Sequence, residues 1–295
     1  MHDLGPQMVL SGLVLASRYA LVGAGLLVIF GLCRFIHFGH GVVVCAAAYS
    51  AFAVSMWWGT PLPLSALVGV AVAVALGSAM EVAAFRPLRR GHASPLVLMM
   101  ASIGLYALVQ NTISVMFGDD VRSLRPGSVA VGINILGARI TPIQITTICV
   151  SIVLVVGLAL FLRYAKLGRA MRAVANDPEL ANLSGIDSDR VILWAFAIGS
   201  ALAGIAGILV ALDVDMTPTM GMNALMMGVV AVIIGGVSSI PGIALGALLL
   251  GMAQQFGVWW ISSQWQDAIA FIILLVFLLF RPQGFMGRKV KKAVV

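Results

Sequence analysis

Residues 163–190, RYAKLGRAMRAVANDPELANLSGIDSDR, form a polar and basic stretch between two long apolar runs, 143–162 and 191–212. The whole chain is 61% hydrophobic and only 10% charged, whereas soluble domains carry roughly 25% charged residues. Several runs exceed the roughly 18 apolar residues that indicate a transmembrane helix. The sequence therefore predicts an all-α, polytopic integral membrane protein in which this polar stretch is a loop between two spans.

Nine membrane segments are predicted within a single transmembrane domain that covers residues 1–295. The segments lie at about 9–32, 41–57, 64–85, 95–117, 143–162, 191–212, 222–237, 240–261 and 265–280. Three parts of the chain are expected outside the bilayer: the 118–142 loop, the 163–190 loop and the 281–295 tail.

The basic residues predict how the chain is oriented. Three clusters, within 86–90, 163–190 and 281–292, hold thirteen of the eighteen Lys and Arg residues. Even numbers of crossings separate the clusters, so all three fall on one side, which the positive-inside rule makes cytoplasmic. The N-terminus and the 118–142 loop are then outside and the C-terminus is cytoplasmic. The net charge of +7 is therefore interpreted as a topology signal and a lipid contact, not as nucleic-acid binding.

Two of the predicted segments are short. Segments 41–57 and 222–237 each fall below the roughly 20 residues that span a bilayer comfortably, and each follows and precedes a full-length segment. The pattern recurs after five crossings, so the second half of the chain would be inverted relative to the first. Short segments at matching positions of inverted halves indicate a transport site. The alternative is two short helices buried among others.

Local signals predict an ordered structure inside the polar loop. Arg169–Ala175 is expected to be helical, and a second helix is expected to restart at 178 and to end at 184. Asp177 suits the N-cap, Pro178 the first helical position, and Glu179 the positive end of the helix dipole. Gly185 suits the position after the helix that requires a positive φ.

The short second helix would carry an apolar stripe of Leu180, Ala181 and Leu183. A rigid, capped, amphipathic helix between two spans is suited to docking in a groove of a partner protein. It is equally suited to lying on the lipid headgroups. The residues alone do not separate these interpretations.

Several colinear blocks carry a family resemblance. The stretch GRAMRAVANDPELANLSGIDSDRV (168–191) resembles the cytoplasmic loop of LivH-type permeases, the membrane subunits of ABC importers for branched-chain amino acids, whose relatives carry urea or other small amides and acids. The resemblance extends over nearly the whole chain. The other similar blocks are RFIHFGHG (34–41), EVAAFRPLRR (81–90), SIGLYALVQN (102–111), GGVSSIPGIALGALLLGMAQ (235–254) and RPQGFMG (281–287).

The resemblance implies that the polar loop is the coupling helix for a cytoplasmic ATPase. The chain has no G-x-x-x-x-G-K-[ST] motif, so ATP and Mg are expected on partner subunits, and the chain itself is expected to bind no cofactor and to be no enzyme. The implied partners are a second, LivM-like permease, two ATPases and a periplasmic binding protein, in the bacterial inner membrane. The implied coupling residues are Arg169, Arg172, Asp177, Pro178, Glu179, Leu180, Ala181, Leu183 and Gly185.

Polar residues in the apolar segments are the candidates for the translocation path. His40 and Gly41 open the first short segment, where free N–H groups could face an anionic group; the alternative is that His40 caps the helix. Gln110 and Asn111 either line the path or bond between helices. The full set of candidates is His37, His40, Gly41, Gln110, Asn111, Asn223 and Gln254.

Three acidic residues, Asp213, Asp215 and Glu81, lie at the ends of predicted segments and are assigned structural roles. Asp213 and Asp215, at the outer end of the sixth segment, are interpreted as solvated loop carboxylates, with contact to the binding protein or a place at the entrance as the alternative. Glu81 is expected to form an ion pair with Arg86 or Arg90.

The chain also departs from the family pattern. Val42 replaces an acid after His-Gly, His37 replaces an asparagine, and Gln254 replaces a glutamate. A carboxylate is an obvious partner for an α-ammonium group. These departures therefore raise the hypothesis of a less cationic cargo, such as an amide, a urea-like compound, an aromatic compound or an organic acid.

Other classes of membrane protein fit less well. A secondary transporter would need a coupling-ion site, and intramembrane carboxylates are scarce; a channel would not need a long capped cytoplasmic helix. A membrane enzyme would need a clustered catalytic set. Cys33, Cys45 and Cys149 lie in or beside apolar segments without metal-binding spacing, so no metal site is predicted.

Overall fold

A computed structural model describes residues 4–287 except 126, 128–131, 136 and 238. It confirms the all-α polytopic fold, with a single two-stranded hairpin in the described part of the 118–142 loop. The strands are β1 (Ile133–Ile135) and β2 (Ala138–Ile140). The helices are α1 (Leu4–Cys33), α2 (Gly39–Trp58), α3 (Leu62–Met80), α4 (Arg86–Arg90), α5 (Pro95–Phe117), α6 (Pro142–Tyr164), α7 (Lys166–Asn176), α8 (Pro178–Leu183), α9 (Ser188–Asp213), α10 (Met220–Gly235), α11 (Ile240–Trp260) and α12 (Gln266–Phe280).

Eight helical stretches are long and apolar enough to cross a membrane, and α10 is a shorter apolar helix. These nine stretches match the nine predicted segments in order. The prediction that the second segment is short was wrong, because α2 has 20 residues and only α10, with 16, is short. Helix α3 continues through a π-helical turn, Glu81–Phe85, into α4, so this span is longer than expected.

The two ends of the bundle can be defined by its loops. The hairpin end carries β1 and β2, where the N–H of Arg139 donates to Oε1 of Gln7 on α1 (2.7 Å). The elbow end carries α7 and α8, where Nη2 of Arg34 donates to the carbonyl of Ala175 (2.7 Å). The described part of the tail lies at the elbow end, because the N–H of Phe285 donates to Ile234 (2.8 Å). The remaining basic residues of the tail, 288–292, lie outside the described residues.

The first four and the last four membrane segments pack in matching ways. Helices α1, α2, α3 and α5 correspond to α9, α10, α11 and α12. Helix α2 packs on α3 as α10 packs on α11, α1 packs on α11 as α9 packs on α3, and α2 packs on α9 as α10 packs on α1. Since α6 is an additional crossing between the halves, the second half is inverted, as predicted.

Glycines allow the two halves to meet at the centre of the bundle. A Cβ on Gly25 of α1 would lie 2.7 Å from the carbonyl oxygen of Gly199 of α9. A Cβ on Gly41 of α2 would lie 2.8 Å from the carbonyl oxygen of Gly221 of α10. Corresponding helices therefore touch backbone to backbone, a close approach typical of membrane helices with small residues at the interface.

Candidate functional site

Helix α7 is the first part of a bent connection at the elbow end. It buries Gly168, Met171 and Val174 against the bundle and exposes Arg169 and Arg172. The predicted helix at 169–175 is therefore present, extended to Lys166–Asn176. Its basic face is available to solvent, headgroups or a partner.

Helix α8 begins where its sequence predicts. Oδ1 of Asp177 accepts hydrogen bonds from the N–H groups of Glu179 and Leu180 (both 3.0 Å), and Pro178 occupies the first helical position. Gly185 has a φ of +84°, which favours glycine. The helix ends at Leu183, one residue earlier than predicted.

The apolar stripe of α8 is narrower than predicted. Leu180 and Leu183 are 61% and 85% exposed, but Ala181 is only 4% exposed. The prediction that Ala181 is exposed was wrong, because α8 packs this side against the rest of the chain. Two leucines three residues apart, and not three apolar residues, form the outward face.

The elbow is tied to two long helices by bonds that sequence reasoning missed. Arg34, just beyond α1, holds the end of α7 at Ala175. Ser188, at the start of α9, donates through Oγ to the carbonyl of Pro178 (3.1 Å) and through its N–H to Oδ1 of Asn182 (3.0 Å). Arg34 and Ala175 lie far apart along the chain, and Ser188 is separated from Pro178 and Asn182 by a turn. No local sequence pattern therefore predicts these hydrogen bonds.

An ionic network joins α4 to the start of α9. Asp189 accepts from Arg86 (2.9 Å) and Arg90 (2.8 Å), and Arg89 contacts both Asp189 (3.3 Å) and Glu81 (2.6 Å). The prediction that Glu81 pairs with Arg86 or Arg90 was wrong. Asp189, supplied by another helix, holds those two arginines, and the π-helical turn leaves Arg89 facing Glu81.

Helix α2 begins inside the bundle. The ring of His40 lies against Gly25, eight residues and therefore about 12 Å before the end of α1. His37 lies next to it, fully buried, with ring centroids of Phe85 and Phe196 at 5.0 and 5.3 Å. The sequence places the start of the second segment at Gly41, and in the structure α2 begins at Gly39, where its first turn is buried.

The N–H groups at the start of α2 are already bonded. The N–H of His40 donates to His37 (3.1 Å) and that of Gly41 donates to Phe38 (3.0 Å), whose own N–H donates to Oγ of Ser102 (3.1 Å). The prediction of free N–H groups at His40 and Gly41 was therefore wrong in this conformation. The preceding turn satisfies them, and both histidine side chains are fully buried.

The two polar candidates on α5 lie away from these histidines. Nδ2 of Asn111 donates to the carbonyl of Ala107 in the same helix (2.7 Å), and its side chain is exposed. Gln110 is half-buried. The hydrogen bond of Asn111 therefore lies within its own helix, and not between helices as one of the two alternatives had it.

A second polar group forms near the hairpin end, around the starts of α10 and α12. Buried Gln254 of α11 accepts from the hydroxyl of Tyr19 (2.8 Å) and donates to the carbonyl of Gln266 (3.0 Å). Nδ2 of exposed Asn223 donates to Oδ2 of exposed Asp267 (3.0 Å). The sequence analysis did not identify Tyr19 or Asp267 as candidates. Asp267 could have been found, because it is a carboxylate inside the predicted 265–280 membrane segment.

Two carboxylates at the hairpin end form ion pairs. Asp213 pairs with Arg18, and Asp215 pairs with Arg125 (2.8 Å). The side chain of Asp213 is only 10% exposed, so its interpretation as a solvated loop carboxylate was wrong. Arg18, a basic residue in the middle of α1, needs a partner in the membrane and recruits it. In the part of the chain that the structure describes, no group of three metal-ligating side chains occurs.

Comparisons with known proteins agree on one family. The family model described as branched-chain amino acid transport system, permease component, matches residues 8–278. The high-affinity branched-chain amino acid transport system permease protein BraD of Pseudomonas aeruginosa is 36% identical, over 96% of this chain and 95% of that protein. The corresponding protein LivH of Escherichia coli K12 is 35% identical over 96% and 95%.

More distant similarities extend this result. The permease protein LivM of Salmonella typhimurium is 28% identical, over 91% of this chain and 67% of that protein. Among solved structures, PsaBC from Streptococcus pneumoniae in complex with Fab matches with a TM-score of 0.51 at 13% identity, over 96% of this chain and 93% of that chain. At this identity the likeness concerns the fold alone.

Proposed function

The chain belongs to the family of branched-chain amino acid transport system permease components, and on this premise we propose that it forms the membrane path of an ABC importer for a branched-chain amino acid. Helices α2 and α10, which begin inside the bundle and meet at Gly41 and Gly221, are the elements around which such a path is built. In this proposal the elbow end is cytoplasmic and the hairpin end faces the periplasm.

The observation that carries the proposal is the outward face of α8. Leu180 and Leu183 stand on a short helix fixed at both ends by Asp177 and Gly185. A rigid apolar projection suits a groove on a partner protein. It would transmit force, because an ordered helix does not absorb displacement as a flexible loop would.

The charge of α8 favours a protein partner over lipid headgroups. Helices that lie on membranes are rich in Lys and Arg on their polar face. Helix α8 carries Glu179 in its first turn and no basic residue in its last turn. An anionic headgroup layer would repel this helix, whereas the basic face of α7, with Arg169 and Arg172, suits the membrane side of the elbow.

The anchors of the elbow provide a mechanical route into the bundle. Arg34 connects α7 to the end of α1, and Ser188 connects α8 to the start of α9. Helices α1 and α9 touch directly at Gly25 and Gly199. Movement of α8 by a partner would therefore displace the two helices that pack against the interior start of α2.

We further propose the assembly that this arrangement requires. A second, LivM-like permease would complete the path, two cytoplasmic ATPases would bind ATP and Mg and dock on the coupling helices, and a periplasmic binding protein would deliver cargo at the hairpin end. The chain itself would bind no cofactor. The 28% identity to a LivM protein shows that a permease of this second kind is related to the chain.

The test is the double substitution Glu179→Arg with Leu180→Asp. It reverses a charge and removes an apolar contact at the centre of the proposed interface. We expect co-purification of the ATPases or ATP-driven leucine uptake in proteoliposomes to fall at least about tenfold, as for a central interface contact. Membrane insertion should be unchanged.

The matched control is Lys166→Ala, which removes an exposed charge from the same connection outside α8. It should leave uptake near the wild-type rate. Normal ATPase binding and uptake in the double variant would contradict the coupling role. Uptake that needs neither ATPases nor ATP would indicate a secondary transporter or a channel instead.

A further inference from the structure

Four carboxylates lie inside the candidate membrane spans of the described residues. The candidate spans contain Glu81, Asp189, Asp213 and Asp267. A charged group in this environment normally faces water or a partner of opposite charge, because an isolated charge in the bilayer is costly. Each of these four residues should therefore either reach water or have a partner of opposite charge.

Three of them find that partner within the chain. Glu81 pairs with Arg89, Asp189 pairs with Arg86 and Arg90, and Asp213 pairs with Arg18. Asp267 differs, because no Lys, Arg or His of the described residues lies within ion-pair distance of it, and its side chain is exposed. Among these four carboxylates it is the one that the described residues leave without a cationic partner.

The surroundings of Asp267 hold it in place. Nδ2 of Asn223, in the first turn of α10, donates to Oδ2 (3.0 Å), which leaves Oδ1 available. The preceding residue, Gln266, is bonded through its carbonyl to Gln254, which also accepts from Tyr19. Three other helices, α1, α10 and α11, thus hold the start of α12, so the exposed carboxylate is presented on a rigid support.

The depth of Asp267 suits an early position on a path from the hairpin end. Gln254, which bonds to the neighbouring Gln266, lies six residues and about 9 Å before the end of α11 at Trp260. Exposed Trp259, Trp260 and Trp265 mark the interface at this end, where aromatic side chains collect. The carboxylate therefore lies just inside the membrane.

We propose that Asp267, oriented by Asn223, binds the ammonium group of the cargo in the outer part of the translocation path. The inference rests on the proposed function and names the recognition element that the sequence departures at Val42 and Gln254 left open. An ammonium group would contact Oδ1 while Asn223 retains Oδ2. The start of α10, a helix that begins within the membrane, is where an inverted-repeat transporter builds such a site.

A cationic side chain of the second permease is the competing partner for Asp267. The position beside the start of α10 favours the cargo, and the experiment separates the two. The variants are Asp267→Asn, which removes the charge and keeps the shape, and Asp267→Glu, which keeps the charge. Asp120→Asn, an 86% exposed carboxylate beyond the same end of the bundle, is the control.

Each variant is assembled with its ATPases and second permease in proteoliposomes, and leucine uptake is measured with saturating leucine-loaded binding protein. We expect Asp267→Asn to lower uptake about tenfold or more, because a hydrogen bond to a charged group is lost. Subunit co-purification and stimulated ATP hydrolysis should remain. Asp267→Glu should recover much of the uptake, and Asp120→Asn should match the wild type.

Three outcomes would overturn the inference. Wild-type uptake in Asp267→Asn would show that the carboxylate does not bind the cargo. Loss of the second permease from the Asp267→Asn complex would identify a subunit contact. A wild-type complex that takes up no amino acid would contradict the proposed function, and the inference with it. Failure of the proposed function therefore shows in the wild type, whereas failure of the inference alone shows only in the Asp267→Asn variant.

Discussion

Gly41 and Gly221 determine how closely α2 and α10 approach. A Cβ on Gly221 would lie 2.8 Å from Sγ of Cys45 and against the carbonyl of Gly41, which is too close for any side chain. The N–H of Gly221 also donates to Sγ of Cys45 (3.1 Å). Because these positions carry no side chain, the first turns of α2 and α10 can contact each other inside the membrane.

We predict that Gly221→Val destabilises the protein. Overpacking of a close contact costs about 1–3 kcal/mol, and backbone on the opposite side cannot yield as a flexible side chain would. The expected result is a lower melting temperature in detergent and loss of uptake. Gly104→Val on α5, where no atom lies within 4 Å of the added Cβ, is the control and should be tolerated. Equal stability of the two variants would contradict the role of the close approach.

Helix α8 illustrates how a short element depends on its ends. Six residues are too few for a helix to be stable alone. Its order comes from the Asp177 cap, from Gly185, and from tertiary bonds to Ser188. The proposed coupling requires that this order persists, because only a rigid helix transfers the movement of a partner.

We predict that Asp177→Ala loosens α8 selectively. Loss of an N-cap costs about 1 kcal/mol, which is large for a single-turn helix. Hydrogen exchange of the amides at 178–183 should become faster, and ATPase co-purification should weaken, while the melting temperature of the bundle stays near the wild-type value. Asp187→Ala removes a similar cap from α9, a 26-residue helix held by packing, and should have little effect. Unchanged exchange in Asp177→Ala would show that the tertiary bonds suffice.

Across the whole molecule, nine membrane segments separate the start of α1, at the hairpin end, from the described part of the tail, at the elbow end. The basic residues of α4, α7 and α9 gather at the elbow end. Inverted halves that meet through glycine contacts suit movement of one half against the other, because backbone contacts allow sliding with little side-chain interlocking.

We predict opposite accessibility of the two ends. In a variant with its native cysteines replaced, Asp120→Cys should react with a membrane-impermeant maleimide from the periplasmic side. Glu179→Cys should react only after the membrane is permeabilised. Both residues are exposed, so a difference in labelling reports the side of the membrane and not burial. The reverse pattern would contradict the proposed orientation and the periplasmic entry of cargo.

Sequence reasoning succeeded where the relevant forces act locally. The apolar runs predict membrane helices because backbone N–H and C=O groups must be hydrogen-bonded within the segment in a bilayer. The cap residues at 177–185 act within one turn of the helix. It failed where partners lie far apart. Ala181 is buried by tertiary packing, Glu81 pairs with Arg89 because Asp189 holds Arg86 and Arg90, and α2 proved longer than its apolar core suggested.

The membrane class, the order and parity of the segments, the inverted pattern and the capped loop all follow from the amino-acid sequence, because hydropathy, charge and capping are properties of short stretches. Which polar side chains meet depends instead on how the helices pack. Packing of the helices paired Asp213 with Arg18 and left Asp267 exposed beside Asn223. These outcomes depend on pairs of residues up to about two hundred positions apart, whose proximity arises only when the helices pack.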